Sequence, residues 1–398
     1  MLEVRSDKPL KYLIIISLIL IYLFASAFLE AGPEGRVTIA DLMLVVIILV
    51  GAMTSFARNT LRLPQIYTAA VPMLFVFLLG SIFAAYPDRA FFELIVILFS
   101  FLGGIAIINL LLNISDEWLK RFVKGYVFVI GLISLLCLLD FFVLPGLVSS
   151  RQLGGLQGPF RNTGQSGSFF GVHTAILLAL MMSGLIPRTS VYLTSVTLAC
   201  LALIFTLKRA SLLAVIAGLL FLVLFLTFSN SAKDKRLGAY AIICIAFLGA
   251  LGYLLFEWAL DAIPGLRWRF EYKFNVQALE SFQEGFLAEN ISSTFAALAD
   301  RPLLGVGLGN IHGVYQHYEI HSTYLGILAY GGFLGTLTYV YFMANLFHVI
   351  AVAAKRKLEN TWAGFLYYLL PLLMGQMIGW GYTYHIRKRE FWILVILV

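Results

Sequence analysis

Phe91-Phe-Glu-Leu-Ile-Val-Ile-Leu-Phe-Ser-Phe-Leu-Gly-Gly-Ile-Ala-Ile-Ile-Asn-Leu-Leu-Leu112 carries one formal charge, Glu93, along its whole length. As a helix rising ~1.5 Å per residue it is about 33 Å long, enough to cross a hydrocarbon core of ~30 Å. Such a segment satisfies its own backbone in a solvent that offers no hydrogen bonds. Runs of the same kind lie near 11–29, 38–57, 66–85, 126–145, 168–186, 190–207, 210–228, 238–258, 321–350 and 362–382. A last apolar piece, Phe391 to Val398, is too short to cross and reads as a clipped or half-inserted twelfth helix. The chain has 398 residues, 61% hydrophobic and 12% charged, against about 25% charged in soluble domains. The expected fold is an all-α, polytopic membrane bundle of about 11–12 transmembrane helices. It divides into helices 1–9 (1–258), one large outer loop (259–320) and helices 10–12 (321–398), as one integrated domain.

The first apolar run is too long, and lacks the small-residue site, for a cleavable signal peptide. Cys137, Cys200 and Cys244 are scattered within predicted helices and read as small core residues. The net charge of +7 is spread over short loops, so topology explains it better than nucleic-acid binding does. With the N-terminus inside, inner loops carry Arg58 and Arg62, then Lys120, Arg121 and Lys124, Arg188, Lys233, Lys235 and Arg236, and Lys355, Arg356 and Lys357. The outer cations are Arg36, Arg89, Arg151, Arg161, Lys208, Arg209, Arg267, Arg269, Lys273, Arg301, Arg387, Lys388 and Arg389. They are mostly arginine, where the inner set is evenly mixed. Topology is indifferent to which cation is used, but oxyanion recognition favours the guanidinium fork. Two readings stand: an anion-binding cluster, or ion pairs with outer acids such as Glu271, Asp300 and Glu319.

Three outer stretches could carry chemistry. Ser150 to Ser168 is rich in glycine and amides, with Arg151, Arg161, Asn162, Thr163 and Gln165 as candidate ligands for sugar hydroxyls or phosphate. Lys208-Arg209 forms a tight hairpin, where two cations either snorkel to headgroups or meet an anion. The long loop holds Arg267 and Arg269, then apolar positions at helical spacing over 271–299 that predict one or two amphipathic helices. It continues as Arg301-Pro-Leu-Leu-Gly-Val-Gly-Leu-Gly-Asn310 and His321-Ser-Thr-Tyr-Leu325. Gly305-Val-Gly-Leu-Gly309 lacks the preceding strand of a dinucleotide site, and reads as a tight, adaptable turn toward the histidines. His317 and His321 have metal-pair spacing, but no carboxylate or cysteine completes a site. His321 stands out because the helix it opens continues with Gly326, Gly331, Gly332 and Gly335, which allow close packing around it.

Pro302 to Asn310, His321 to Leu325 and Gly331-Gly-Phe-Leu-Gly335, in that order, resemble the bacterial O-antigen ligase and polymerase superfamily. Phe160-Arg-Asn-Thr-Gly-Gln-Ser-Gly167 and Lys208-Arg-Ala-Ser211 are similar to two further motifs of that family, with Gln165 where asparagine is commoner. The resemblance covers about residues 150–340. It implies a helical glycosyltransferase of the GT-C kind in the bacterial inner membrane, facing the periplasm and needing no cofactor or metal. Its partners would be an undecaprenyl-pyrophosphate-linked glycan donor, a glycan or lipid A-core acceptor and membrane lipids, with no nucleic acid. By position it makes His321 the base and Arg209 a pyrophosphate ligand, with Arg161 or Arg151 as a second. A family arginine has no counterpart near Leu287 and Glu289, and Arg267 or Arg269 could substitute. Lys208, Asn162, Gln165, Arg301 and Tyr324 complete the expected binding set. The acceptor reads first as a lipid A core and second as a growing polymer. A transporter of lipid-linked glycan or small solutes is the competing class, but no internal repeat supports it.

Overall fold

The computed structural model describes residues 8–28, 30–31, 37–59, 61–148, 155–160, 162–229, 231–263, 265–275, 287–356 and 361–398. Its helices are α1 (Lys8–Phe28), α2 (Ile39–Arg58), α3 (Gln65–Ile82), α4 (Pro87–Leu111), α5 (Asp116–Phe142), α6 (Thr163–Ser183), α7 (Ser190–Phe205) and α8 (Arg209–Thr227). There follow α9 (Ala232–Ala262), α10 (Leu266–Phe274), α11 (Ala288–Asp300), α12 (Thr323–Lys355), α13 (Thr361–Trp380) and α14 (Arg389–Ile396). Two-residue strands, β1 (Glu30–Ala31) and β2 (Val37–Thr38), pair antiparallel between α1 and α2. Among the described residues nine helices are long and apolar enough to cross a membrane: α1 to α6, α8, α12 and α13. The helix α7 is apolar but shorter, with 16 residues.

Small residues set the tightest seam. Gly375 and Gly379 of α13 face Ala210, Ala214 and Gly218 of α8, and a Cβ added at Gly375 would lie 2.2 Å from the Gly218 nitrogen. Four-residue spacing of small side chains on both partners lets the backbones touch, which lipid-embedded helices use in place of hydrophobic burial. The terminal helix α14 is a buried wedge. Trp392 is 2% exposed, its ring centroid 5.7 Å from Phe101 and 6.2 Å from Tyr67, and its indole N–H donates to the Ile386 carbonyl at 2.8 Å. The half-inserted helix expected from the sequence is thus a short helix enclosed by α3, α4 and α6.

The predicted single span over 321–350 is broken. Gly332 has φ 61° and ψ −156°, a conformation essentially confined to glycine. The break frees two carbonyls and two amides in the middle of α12, and the loop before it satisfies all four. Val306 and Gly307 donate to the Ala329 and Tyr330 carbonyls at 3.0 and 3.1 Å. Phe333 and Leu334 donate to the Pro302 and Leu303 carbonyls at 2.8 and 3.1 Å. Contact is so close that a Cβ on Gly305 would lie 2.5 Å from the Ala329 carbonyl. The stretch 302–309, expected on the outer surface, is therefore tucked into the bundle. It sits nine residues into α12, roughly 14 Å from that helix's start. A broken helix survives at such depth only where protein groups replace the lost partners.

Of the amphipathic helices expected over 271–299, α10 and α11 are described, and residues 276–286 lie outside the described set. On α11 the buried face is small and polar (Asn290, Ser293, Thr294, Ala297), while Ile291 and Phe295 are exposed. The apolar stripe therefore faces away from the protein, not onto it.

Candidate active site

Three ties place His321. Ser322 is the N-cap of α12 and its hydroxyl accepts from the Leu325 amide. Thr323 donates its hydroxyl to the Thr383 carbonyl at 2.7 Å and accepts from the His385 amide at 3.0 Å. Upstream, the His321 amide donates to Asn290 Oδ1 of α11 at 3.4 Å. The loop between 302 and 321 is held as firmly. Buried Asn310 accepts from the Tyr86 amide at 2.7 Å, and Arg89 donates to the His312 carbonyl at 2.7 Å. Glycines at 305, 307 and 309, with φ of 67°, 84° and 68°, make the turns this path requires.

His321 opens onto a cavity of about 1120 Å³. Its walls come from the end of α1, the starts of α2, α4 and α6, Lys208, the 319–321 loop and the segment 383–393. These chain positions all fall at one end of the alternating bundle. Asn162, Gln165, Lys208 and His321, four of the expected site residues, line this one space. Although exposed to the cavity, the imidazole is held below its usual pKa of 6.5, chiefly by desolvation from the surrounding protein. Lys208, Lys388 and Arg387 push the same way, and Glu319 opposes them. Such a ring is neutral near pH 7, the protonation state a general base requires.

Beside the cavity a second group of cations converges. Lys208 is the N-cap of α8 and Arg209 its first residue, while Arg269 and Lys273 lie one turn apart on α10. Arg269 donates to Thr163 Oγ1, at the first turn of α6, at 2.7 Å. Lys273 donates to the Leu207 carbonyl at 3.3 Å. The ammonium of Lys273 is depressed to about 8, first by burial and then by Arg269, Lys208 and Arg209. Burial and the neighbouring Arg209 also lower Lys208. Cations crowded closely enough to weaken one another's hold on a proton, beside two helix N-termini, form a site that an anion would stabilise.

Other expected residues sit elsewhere. Arg267 is exposed and pairs with Asp261 at 2.5 Å. Arg301 donates to the Phe83 carbonyl at the end of α3, away from the cavity walls. Tyr324 donates to the Met377 carbonyl at 2.7 Å and ties α12 to α13. Arg151 and Arg161 lie outside the described residues. Asn162 lines the cavity, but its side-chain oxygen caps α6 by accepting from the Gln165 amide at 2.9 Å.

The sequence reading missed the contribution of 383–393. Lys388 lines the cavity, donates to Ser168 Oγ at 2.7 Å and is lowered to about 8, mainly by burial. Arg387 bridges Glu93, at 3.0 Å, and Glu319, while Arg389 meets Asp41 at 2.5 Å. The one signal was the run Arg387-Lys-Arg389 directly before an apolar stretch, which topology alone would explain.

Residues 193–340 match the family model described as O-Antigen ligase. That region contains Lys208, Arg209, Arg269, Lys273 and His321, whereas α6 and the segment 383–393 fall outside it. No curated protein matches the chain. The order of the motifs and the spans that surround them agree with that match: in a multi-span membrane protein, residues 193–340 are similar to the O-antigen ligase family.

Proposed function

We propose that the chain is an inverting glycosyltransferase that needs no metal. It moves a glycan from undecaprenyl pyrophosphate to an acceptor hydroxyl at the outer face of the bacterial inner membrane. One observation carries this reading: a neutral imidazole and Lys208 share a cavity, and Lys208 also belongs to the cation group of Arg209, Arg269 and Lys273.

A sugar hydroxyl is a weak nucleophile, and a diphosphate leaves readily only when its growing charge is met. His321 takes the hydroxyl proton as the acceptor oxygen bonds to the anomeric carbon, and the bond from that carbon to the phosphate oxygen breaks. Lys208, Arg209, Arg269 and Lys273 hold the departing diphosphate in the positions where a metal-dependent enzyme would place its ion. Displacement in one step inverts the anomeric centre. A positioned base contributes about 10²–10⁴ in rate. His321→Ala should therefore lower transfer by at least about 10²-fold while the protein still binds undecaprenyl pyrophosphate in nanodiscs. Full transfer by that variant would remove His321 from the mechanism.

The acceptor we favour is a lipid A core, which makes the protein a ligase, with polymerisation of repeat units as the same chemistry on another acceptor. Gene deletion separates the two. Loss of a ligase leaves long chains on the lipid carrier, and loss of a polymerase leaves single units on the surface acceptor.

A further inference from the structure

The cations that line the His321 cavity differ in what already holds them. Arg387 is bound by Glu93 and Glu319, and Arg389 by Asp41. Lys208 and Lys388 line the same space, and among the described residues no carboxylate is bonded to either ammonium. Both stand on one face of α6. The Lys208 ammonium is close enough to Gly164 that a Cβ added there would lie 3.6 Å from it. The Lys388 ammonium donates to Ser168 Oγ at 2.7 Å, and Ser168 donates in turn to the Gly164 carbonyl at 2.9 Å. Positions 164 and 168 are one helical turn apart, so their side-chain positions are separated by about 5–6 Å. Burial lowers Lys388 first; Glu390 and Glu319 oppose it from a distance, while Lys208 and Arg387 reinforce it. Two like charges seated a turn apart in a partly desolvated pocket gain most from an anion that both can reach.

We propose that Lys208 and Lys388 clamp one diphosphate between them over the first two turns of α6, which makes Lys388 a ligand of the glycan donor. The inference rests on the glycosyl-transfer reading above and adds a residue to its donor site. A diphosphate carries charged oxygens on both phosphorus atoms, so a single molecule can meet two ammonium groups at this spacing. A monophosphate gathers its charge around one centre and satisfies one of them. The N-terminal end of α6 adds its positive dipole to the same field. Both lysines also act on His321, so the clamp keeps the leaving group in the cavity of the base. Lys388 lies outside the region matched to the family, and this second arm is therefore supplied by the chain's own C-terminal segment.

The test uses the full chain in nanodiscs, with undecaprenyl pyrophosphate and undecaprenyl monophosphate as probes. The wild type should bind the diphosphate lipid more tightly. Lys388→Met should weaken that binding about tenfold or more, and binding of the monophosphate lipid by less than about threefold. Lys388→Gln removes the charge but can still bond to the Ser168 hydroxyl, so it should show the same selective loss if the methionine variant does not fold. Lys388→Arg, which keeps the charge, should recover most of the preference. Equal losses for the two lipids, or no loss for either, would overturn the clamp. So would a rise confined to the acceptor KM when transfer is measured with donor and surface glycan acceptor from the native host, since Lys388 would then serve an anionic acceptor. A wild type that binds neither lipid strikes at the glycosyl-transfer reading itself.

Discussion

An imidazole that is to take a proton near neutrality must arrive without one, and burial, helped by three nearby cations, keeps His321 so. Burial sets the direction, Lys208, Lys388 and Arg387 reinforce it, and Glu319 opposes it. Because the folded pKa lies below 6.5, the base is available at pH 7, and the rate should fall only as pH drops through that lower value. The two signs can be separated. Lys208→Met removes a charge that disfavours the imidazolium, so the acidic limb of the kcat profile should move to higher pH. Glu319→Gln removes one that favours it, so the limb should move lower. Shifts in the same direction from both variants would contradict this account. His321 was legible in the sequence because a titratable ring stood where a polar loop meets a small-residue helix. Lys388 was not, since a cation beside an apolar stretch is also what a topology signal looks like. Its role depends on the chain folding back so that Lys388 reaches Ser168 of α6.

At the level of the element, the break in α12 decides where the site stands. Four main-chain hydrogen bonds clasp 302–307 across Gly332, so the loop that carries His321 leaves and returns at a fixed place. Gly332→Ala puts a Cβ 2.6 Å from the Gly305 nitrogen in a conformation that costs of order 1–3 kcal/mol outside glycine. A lower melting temperature in detergent and loss of transfer should appear together in this variant. Unchanged melting would show that the clasp contributes little. Periodicity located α12 but not its interruption, because Gly331-Gly332 in an apolar run looks the same whether it serves packing or a break. The glycines of 305–309 were read as an adaptable turn, whereas the structure uses them for close approach of backbone to backbone. The inverted face of α11 has a similar cause. Hydrophobic spacing identifies a stripe, but not whether protein or lipid covers it.

For the whole molecule, the apolar runs gave nearly every helix, because length and the absence of charge leave a lipid-embedded chain few alternatives. Two features exceeded that logic: α7, with 16 residues, and α14, which is buried without crossing. The alternating path puts His321, Lys208 and Lys388 at one end of the bundle, and Lys120 at the other. The proposed orientation then predicts a labelling pattern. In a background with Cys137, Cys200 and Cys244 replaced, His317→Cys should react with an impermeant maleimide in intact spheroplasts and Lys120→Cys should not. The reverse pattern would place the cavity on the cytoplasmic side.

The clasp at Gly332 has one more consequence. Its four bonds close 302–334 at the base without any covalent link, and Val314, His317 and Tyr318 are exposed between those ends. A protease nick among these residues should therefore sever the polypeptide without releasing either fragment. The two pieces should migrate together in native gels, parting only in sodium dodecyl sulfate, and a protein expressed as two halves divided there should still assemble.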